Sequence, residues 1–361
     1  MEGAAMNGIR AEFSLRLDDF ELNASFVAPS VGVTALFGAS GSGKSTLLRC
    51  IAGLERARGR LSVNGEAWQD ERSFLPTHKR ALGYVFQEAS LFSHLSVRAN
   101  LEYGYRRIAP AERRVHPDQA IEWLGLNALI GRGDPAGLSG GERQRIAIGR
   151  ALLTSPCILL MDEPLSALDA ASRREILPYL ERLHRELNIP VIYVSHSMDE
   201  VARLADHMLL IEQGRIIASG SLTDTLSRLD LPLAGFDDAG VVIEAEVAGQ
   251  DETYHLTRLV FAGGALQVGR VDQPQGAKVR VRVLARDVSI AMQKPEQTSI
   301  SNILEARILD IRDEGYDKVN VKIAVGQMQV LISRITRRSR DMLNLSVGMQ
   351  VYAQVKSVAL M

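Results

Sequence analysis

At 361 residues the chain exceeds the usual size of one domain, so two are expected. Its 42 Lys+Arg against 43 Asp+Glu leave a net charge of −1, which removes any global electrostatic case for nucleic acid or an acidic membrane surface. A hydrophobic content of 46 % suits a globular core, and no stretch approaches the ~18 uninterrupted apolar residues of a membrane span.

In chain order, Met1 to Arg10 has no apolar core of a signal peptide, so no leader is expected. Phe13, Leu15 and Leu17 alternate with polar residues, as do Leu22, Ala24 and Phe26, which predicts two short strands. An apolar strand, Val33–Phe37, then runs into Gly38-Ala39-Ser40-Gly41-Ser42-Gly43-Lys44-Ser45, and a helix-like run follows from Ser45 and Thr46. Strand, G-x-x-x-x-G-K-S loop and helix make a phosphate site. The glycines let backbone N–H groups turn inward around an anion, and the helix N-terminus adds about half a positive charge. Lys44 would reach the β- and γ-phosphates of a nucleotide, and Ser45 would give its hydroxyl to Mg²⁺.

Arg58–Gly65 reads as a strand ending in an Asn-Gly turn, and Leu82–Val85 as a strand ending at the amide of Gln87. From Val97 to about Gly133 the pattern is helical. Leu138-Ser139-Gly140-Gly141-Glu142 opens a further helix. Cys157–Met161 and Val191–Ser195 are continuous apolar runs, as parallel strands covered on both faces show. The first ends at Asp162-Glu163 and the second at His196. Between them a helix spans roughly Ala170–Leu187 and contains Pro178, a residue that can kink it. The two cysteines, Cys50 and Cys157, lack metal-ligand spacing and read as packing residues in a reducing compartment. The alternation predicts a doubly wound α/β sheet, with Lys44, Gln87, Asp162, Glu163 and His196 at the strand C-termini, where such sheets bind ligands.

Beyond about residue 225 the pattern becomes short alternating strands, a small all-β domain, after a linker at about 229–240. Ile243–Val247 resembles Leu304–Ile308, and Gly276–Val283 resembles Gly348–Val355. This predicts two tandem barrel-like modules, roughly 240–293 and 297–361.

The P-loop, Gln87, Leu-Ser-Gly-Gly-Glu, Asp162-Glu163, Leu168-Asp169 and His196 occur in the order found in nucleotide-binding subunits of ABC transporters, which residues 10–225 resemble. The resemblance implies a P-loop NTPase domain over 1–228, with a helical subdomain at about 93–150. It implies ATP bound by residues 38–46, that is Gly38, Ala39, Ser40, Gly41, Ser42, Gly43, Lys44, Ser45 and Thr46. Mg²⁺ would be held by Ser45, Gln87 and Asp162. Glu163 would act as the general base, and His196 would bond the γ-phosphate. Gln87 would contact the water and link the site to the membrane partner. Ser139, Gly140, Gly141 and Asp169 would serve the nucleotide of a second copy, so the working unit is a homodimer. An aromatic that stacks on adenine is expected near the start of the chain, with Phe13 and Phe20 as candidates, while Phe92 and His94 either line the groove for the membrane partner or pack their loop.

Residues 298–304 and 353–358 resemble the Mop-type oxyanion modules (OB-like TOBE folds) that follow the ATPase domain in molybdate importers. Ser299, Ser301, Lys356 and Ser357 offer hydroxyls and a charge for a tetrahedral dianion, although Ser301 stands where such motifs commonly carry Arg. The β-domain is expected to bind oxyanion or to serve as a structural, dimerising part. The resemblance implies an ATPase that energises molybdate import, peripheral on the cytoplasmic face of the inner membrane. It would work with two permease subunits and, through them, a periplasmic molybdate-binding protein. An importer of another anion or a sugar, and a soluble oxyanion sensor, are the competing readings.

Overall fold

The structure, a computed structural model, describes residues 8–327 and 329–361, so most of the Met1–Arg10 segment, read above for a signal peptide, lies outside the described residues. The chain divides into two compact units, Met1–Ser221 and Leu222–Met361.

The first unit is built on strands β1 (Ile9–Leu17), β2 (Phe20–Ala28), β3 (Gly32–Phe37), β4 (Arg58–Val63), β5 (Glu66–Gln69), β6 (Leu82–Val85), β7 (Ile158–Asp162), β8 (Pro190–Ser195), β9 (His207–Glu212) and β10 (Arg215–Ser221). They form one ten-stranded sheet in the order β5-β4-β1-β2-β10-β9-β3-β8-β7-β6. Strands β9, β3, β8, β7 and β6 run parallel. Helices α1 (Lys44–Ala52), α2 (Val97–Leu101), α3 (Pro117–Trp123), α4 (Gly140–Leu152), α5 (Ala170–Glu186) and α6 (Met198–Leu204) complete it. Strands β3, β7 and β8 are buried along almost their whole length because helices cover both faces of a parallel sheet. In the antiparallel wing, Ile9, Ala11 and Phe13 point inward while Arg10 and Glu12 face solvent. That inward face meets Leu47, Leu48 and Ile51 of α1 and Leu36, Leu160 and Ile192 of the parallel strands in one core.

One sequence reading changes. The continuous helical pattern of 97–133 resolves into α2, α3 and short 3-10 turns at Tyr105–Arg107 and Pro110–Glu112. Pro110 and Pro117 lack the N–H that a continuing helix needs, and Gly125 turns the chain with φ of 60°. By contrast, α5 runs unbroken through Pro178. The Asn-Gly turn is as read: Asn64 and Gly65 have φ of 50° and 84° and join β4 to β5.

The second unit holds α7 (Leu222–Leu226), β11 (Gly240–Asp251), β12 (Leu256–Phe261), β13 (Gly264–Gly269), β14 (Lys278–Leu284), β15 (Val288–Ala291), β16 (Asn302–Glu314), β17 (Lys318–Val325), β18 (Gln329–Thr336), α8 (Arg337–Met342), β19 (Gln350–Val355) and β20 (Ala359–Leu360). It has two five-stranded sheets, β13-β12-β11-β14-β20 and β18-β17-β16-β19-β15. The order is the same in both. Ala245 faces Val279 as Ala306 faces Val351, which is the register the sequence repeat requires. A bulge interrupts β11 at Val247/Gly249 and β16 at Ile308/Asp310, equivalent places in the repeat.

The halves interlock: each sheet's outermost strand comes from the other half, β15 pairing with β19 and β20 with β14. One core spans both halves. Residues 229–240, read as a linker, carry a 3-10 turn at Pro232–Gly235, and Leu229 and Ala234 join that same core.

Candidate functional site

Four parallel strands deliver the site to one edge. In the ladder Phe37 lies opposite Ser195, Asp162 opposite Val194 and Val85 opposite Met161. The residues that follow or end these strands are the P-loop, His196, Asp162-Glu163 and Gln87, so chain direction alone gathers them.

An open cleft of about 760 Å³ is lined by Phe20, Ser40, Gly41, Gly43, Lys44, Ser45, Thr46, Gln87 and Glu163. The P-loop turns at Gly41 and Gly43, with φ of 78° and 102°, and Gly43 caps α1. A side chain at Gly43 would meet the Phe20 ring, with only 2.5 Å from its Cβ to Cζ, so glycine is required twice over. Lys44 is 5 % exposed, and its Nζ donates to the carbonyls of Gly38 at 3.0 Å and Ala39 at 2.9 Å. Burial pulls its pKa down, opposed by the charges of Glu163 and Asp162. The Ser42 hydroxyl is buried with no protein partner.

Ser45 Oγ donates to Asp162 Oδ1 at 2.8 Å, and the Tyr84 hydroxyl donates to Asp162 Oδ2 at 3.1 Å. This hydroxyl–carboxylate pair, with the Gln87 amide in the same cleft, is an all-oxygen donor set that fits a hard divalent cation. In the sequence Tyr84 is simply one residue of the Leu82–Val85 strand. Burial first and Asp162 second push its pKa up, which keeps it a proton donor. Its signal was a phenol inside an otherwise apolar strand, since buried Tyr hydroxyls find partners.

Glu163 stands between the Lys44 ammonium and the His196 imidazole. Its Oε1 is 3.8 Å from Lys44 Nζ, and its Oε2 is 3.3 Å from His196 Nδ1. Its backbone is left-handed, with φ of 43°, held by its N–H on the Val194 carbonyl at 3.1 Å and by Ser166 on its own carbonyl. For a non-glycine residue that conformation is strained, and such strain collects at functional sites.

Two groups stand apart from the cleft. Among the described residues, its lining includes none of Ser139, Gly140, Gly141 or Asp169. Ser139 caps α4 through a reciprocal box: its Oγ accepts from Glu142 N–H at 3.2 Å, and Glu142 Oε2 accepts from Ser139 N–H at 2.7 Å. Asp169 caps α5 by accepting from the N–H groups of Ala171 and Ser172, both at 2.9 Å. Gly140 and Gly141 sit against Leu168 and Ser172, so the two caps are neighbours. Of the aromatic candidates, Phe13 is buried at 3 % exposure and Phe20 lines the cleft. Phe92 packs on Tyr103 at 4.5 Å between centroids, with His94 alongside.

In the second unit, Ser299 and Ser301 precede β16 while Lys356 and Ser357 follow β19. The pairing of Asn302 with Val355 sets all four at one end of that ladder, exposed. The Lys356 N–H donates to the Asp287 carbonyl at 2.8 Å. The repeat puts Asp238, Gly240, Leu284 and Ala285 at the equivalent places of the first half.

The ABC transporter family model matches residues 22–166, and the TOBE domain model matches residues 298–361. The chain is 56 % identical over 358 residues to molybdenum import ATP-binding protein ModC 1 of Azotobacter vinelandii, covering 98 % of this chain and 99 % of that protein. It is 56 % identical over 358 residues to molybdenum import ATP-binding protein ModC of Methylococcus capsulatus, covering 99 % and 100 %. Among solved structures, cbiO1 of Clostridium perfringens, part of the ABC transporter complex cbiONQ, is similar with a TM-score of 0.54 at 26 % identity, covering 62 % of this chain and 91 % of that one.

Proposed function

We infer the function from one premise: the chain belongs to the molybdenum import ATP-binding proteins, the ATPase subunits of ABC transporters. It hydrolyses ATP to energise molybdate import. The observation that carries this is that the likeness runs through both units, from the P-loop to the oxyanion-type module.

The chemistry at the cleft is our proposal. The P-loop N–H groups and Lys44 take the β- and γ-phosphates, and Phe20 stacks on adenine. Ser45, Asp162 and Gln87 hold Mg²⁺, which when bound neutralises phosphate charge. In the present geometry Lys44 is shared between two loop carbonyls and Glu163. An arriving γ-phosphate competes for that ammonium and frees the Glu163 carboxylate. Glu163 then takes a proton from the water that attacks γ-phosphorus, as the bond to the ADP oxygen breaks. His196 donates to the γ-phosphate oxygens and stands beside the base.

The caps at Ser139 and Asp169 lie outside the cleft of their own chain, which supports a site completed by a second copy. The α4 N-terminus presents Ser139, Gly140 and Gly141 to that partner's phosphates. ATP binding energy thereby becomes dimer-closing energy, which two permease subunits convert into transport, with molybdate delivered by a separate binding protein. Among the described residues no helix is long and apolar enough to cross a membrane. A peripheral position on the cytoplasmic face of the inner membrane follows from the need to meet a permease. Ser299, Ser301, Lys356 and Ser357 form a candidate oxyanion site in the second unit.

ATP hydrolysis by the chain with its permease in vesicles tests the reading. Stimulation by loaded molybdate-binding protein is expected; stimulation by sulfate or maltose systems instead would replace molybdate as the cargo.

A further inference from the structure

Glu200, in α6, is 4 % exposed. A carboxylate so deep is costly unless its oxygens are satisfied, and an apolar side chain would fill the place more cheaply. Its partners are therefore informative. Oε2 accepts from Tyr193 Oη at 2.9 Å and from Ser195 Oγ at 2.8 Å. Oε1 faces Arg173 Nε at 3.5 Å.

The Ser195 hydroxyl does two things at once. While donating to Glu200 it accepts the N–H of Ser197 at 3.0 Å. Ser195 and Ser197 flank His196, so this bridge sets the path of the loop that presents the imidazole to Glu163. His196 itself is 58 % exposed, so packing does little to aim it. Arg173, in α5, lies one turn past Asp169. Its N–H donates to the Asp169 carbonyl at 2.9 Å, and its Nη2 donates to the Leu168 carbonyl at 3.4 Å. One buried carboxylate thus ties the loop holding His196 to the segment holding Asp169.

We propose that Glu200 is a positioning residue for ATP hydrolysis: through Ser195 it aims His196 at the site, and through Arg173 it links that aim to the Leu168–Asp169 segment. This rests on the ATPase reading above. Nucleotide binding at the P-loop does not pass through Glu200, so its removal acts on turnover and spares affinity.

Steady-state Mg-ATP hydrolysis by the full chain, with kcat and KM separated and the thermal midpoint recorded, tests it. Ser195→Ala and Glu200→Gln should each lower kcat about tenfold or more with KM held within about twofold. The double variant should fall no further than the worse single one, within about twofold, because both act through one bridge. Arg173→Gln should lower kcat in the wild-type chain and add nothing to Glu200→Gln. Tyr193→Phe, which removes a hydroxyl on the core side of the carboxylate, should stay within about twofold of wild type. If Glu200→Gln does not fold, Ser195→Ala and Arg173→Gln carry the test. A wild-type chain without turnover removes the ATPase reading and this one with it. Wild-type turnover kept in both Ser195→Ala and Glu200→Gln, or effects that multiply in the double variant, overturn this inference alone.

Discussion

At the scale of the residue, Glu163 is the proposed base, and three constraints meet on it. A left-handed backbone turns its side chain into the cleft, Lys44 lies on one carboxylate oxygen and His196 on the other. Glu163→Gln keeps the volume and removes the proposed base. It should retain ATP binding, lose at least ~100-fold in kcat and trap the ATP-bound dimer. Turnover assays and size-exclusion chromatography check this, and near-normal hydrolysis would refute the assigned role. Glu142 gives a pH prediction. The Ser139 N–H, then the Ser139 hydroxyl and the charges of Arg132 and Arg145, outweigh burial and hold its pKa below the ordinary carboxylate value. A depressed folded-state pKa means the stabilisation is fully present above the unfolded value and is lost as pH falls through the folded one. Glu142→Gln keeps an acceptor for the capping box but cannot titrate. Its thermal midpoint should therefore fall less steeply than wild type between about pH 5 and 3.

At the scale of the element, the β1–β2 hairpin separates two phenylalanines that look equivalent in sequence. Phe13 points into the core and Phe20, at the start of β2, reaches the P-loop. Phe13→Ala should cost about 3–5 kcal/mol in chemical denaturation. Phe20→Ala, at a half-buried ring on the core's edge, should cost clearly less stability than Phe13→Ala and raise KM for ATP about 2- to 10-fold, the value of a lost aromatic stack. If both variants only destabilise, adenine stacking by Phe20 is wrong. The stretch 97–133 teaches the opposite lesson. Its apolar spacing is helical, yet prolines and glycines divide it into pieces too short to stand without tertiary packing.

At the scale of the whole molecule, the repeat explains both sheets of the second unit and why one half alone holds the candidate oxyanion site. The shared register makes the two β-ladders alike, while Lys356 and Ser301 have Leu284 and Gly240 as counterparts. Calorimetric titration of the full chain with molybdate should show binding heat that Lys356→Ala abolishes. Unchanged heat in that variant would move the oxyanion elsewhere. Each half completes its sheet with a strand from the other, so the halves are expected to unfold together, in one transition for the second unit by differential scanning calorimetry.

The sequence alone proposes the nucleotide site, because a P-loop and strand-terminal Gln87, Glu163 and His196 are local patterns whose placement follows from parallel strands ending at one edge. It also determined the internal repeat, because alternation and glycine spacing survive duplication. Only the tertiary structure separated Phe20 from Phe13, set Tyr84 on Asp162 and joined Glu200 to Ser195 and Arg173. It also showed that strands cross between the β halves and that residues 229–240 pack into a core. The physical reason is common to all of these. Each is a contact between groups on different elements, decided by strand order, pleat phase and the requirement that buried polar groups find partners, none of which has a period along the chain.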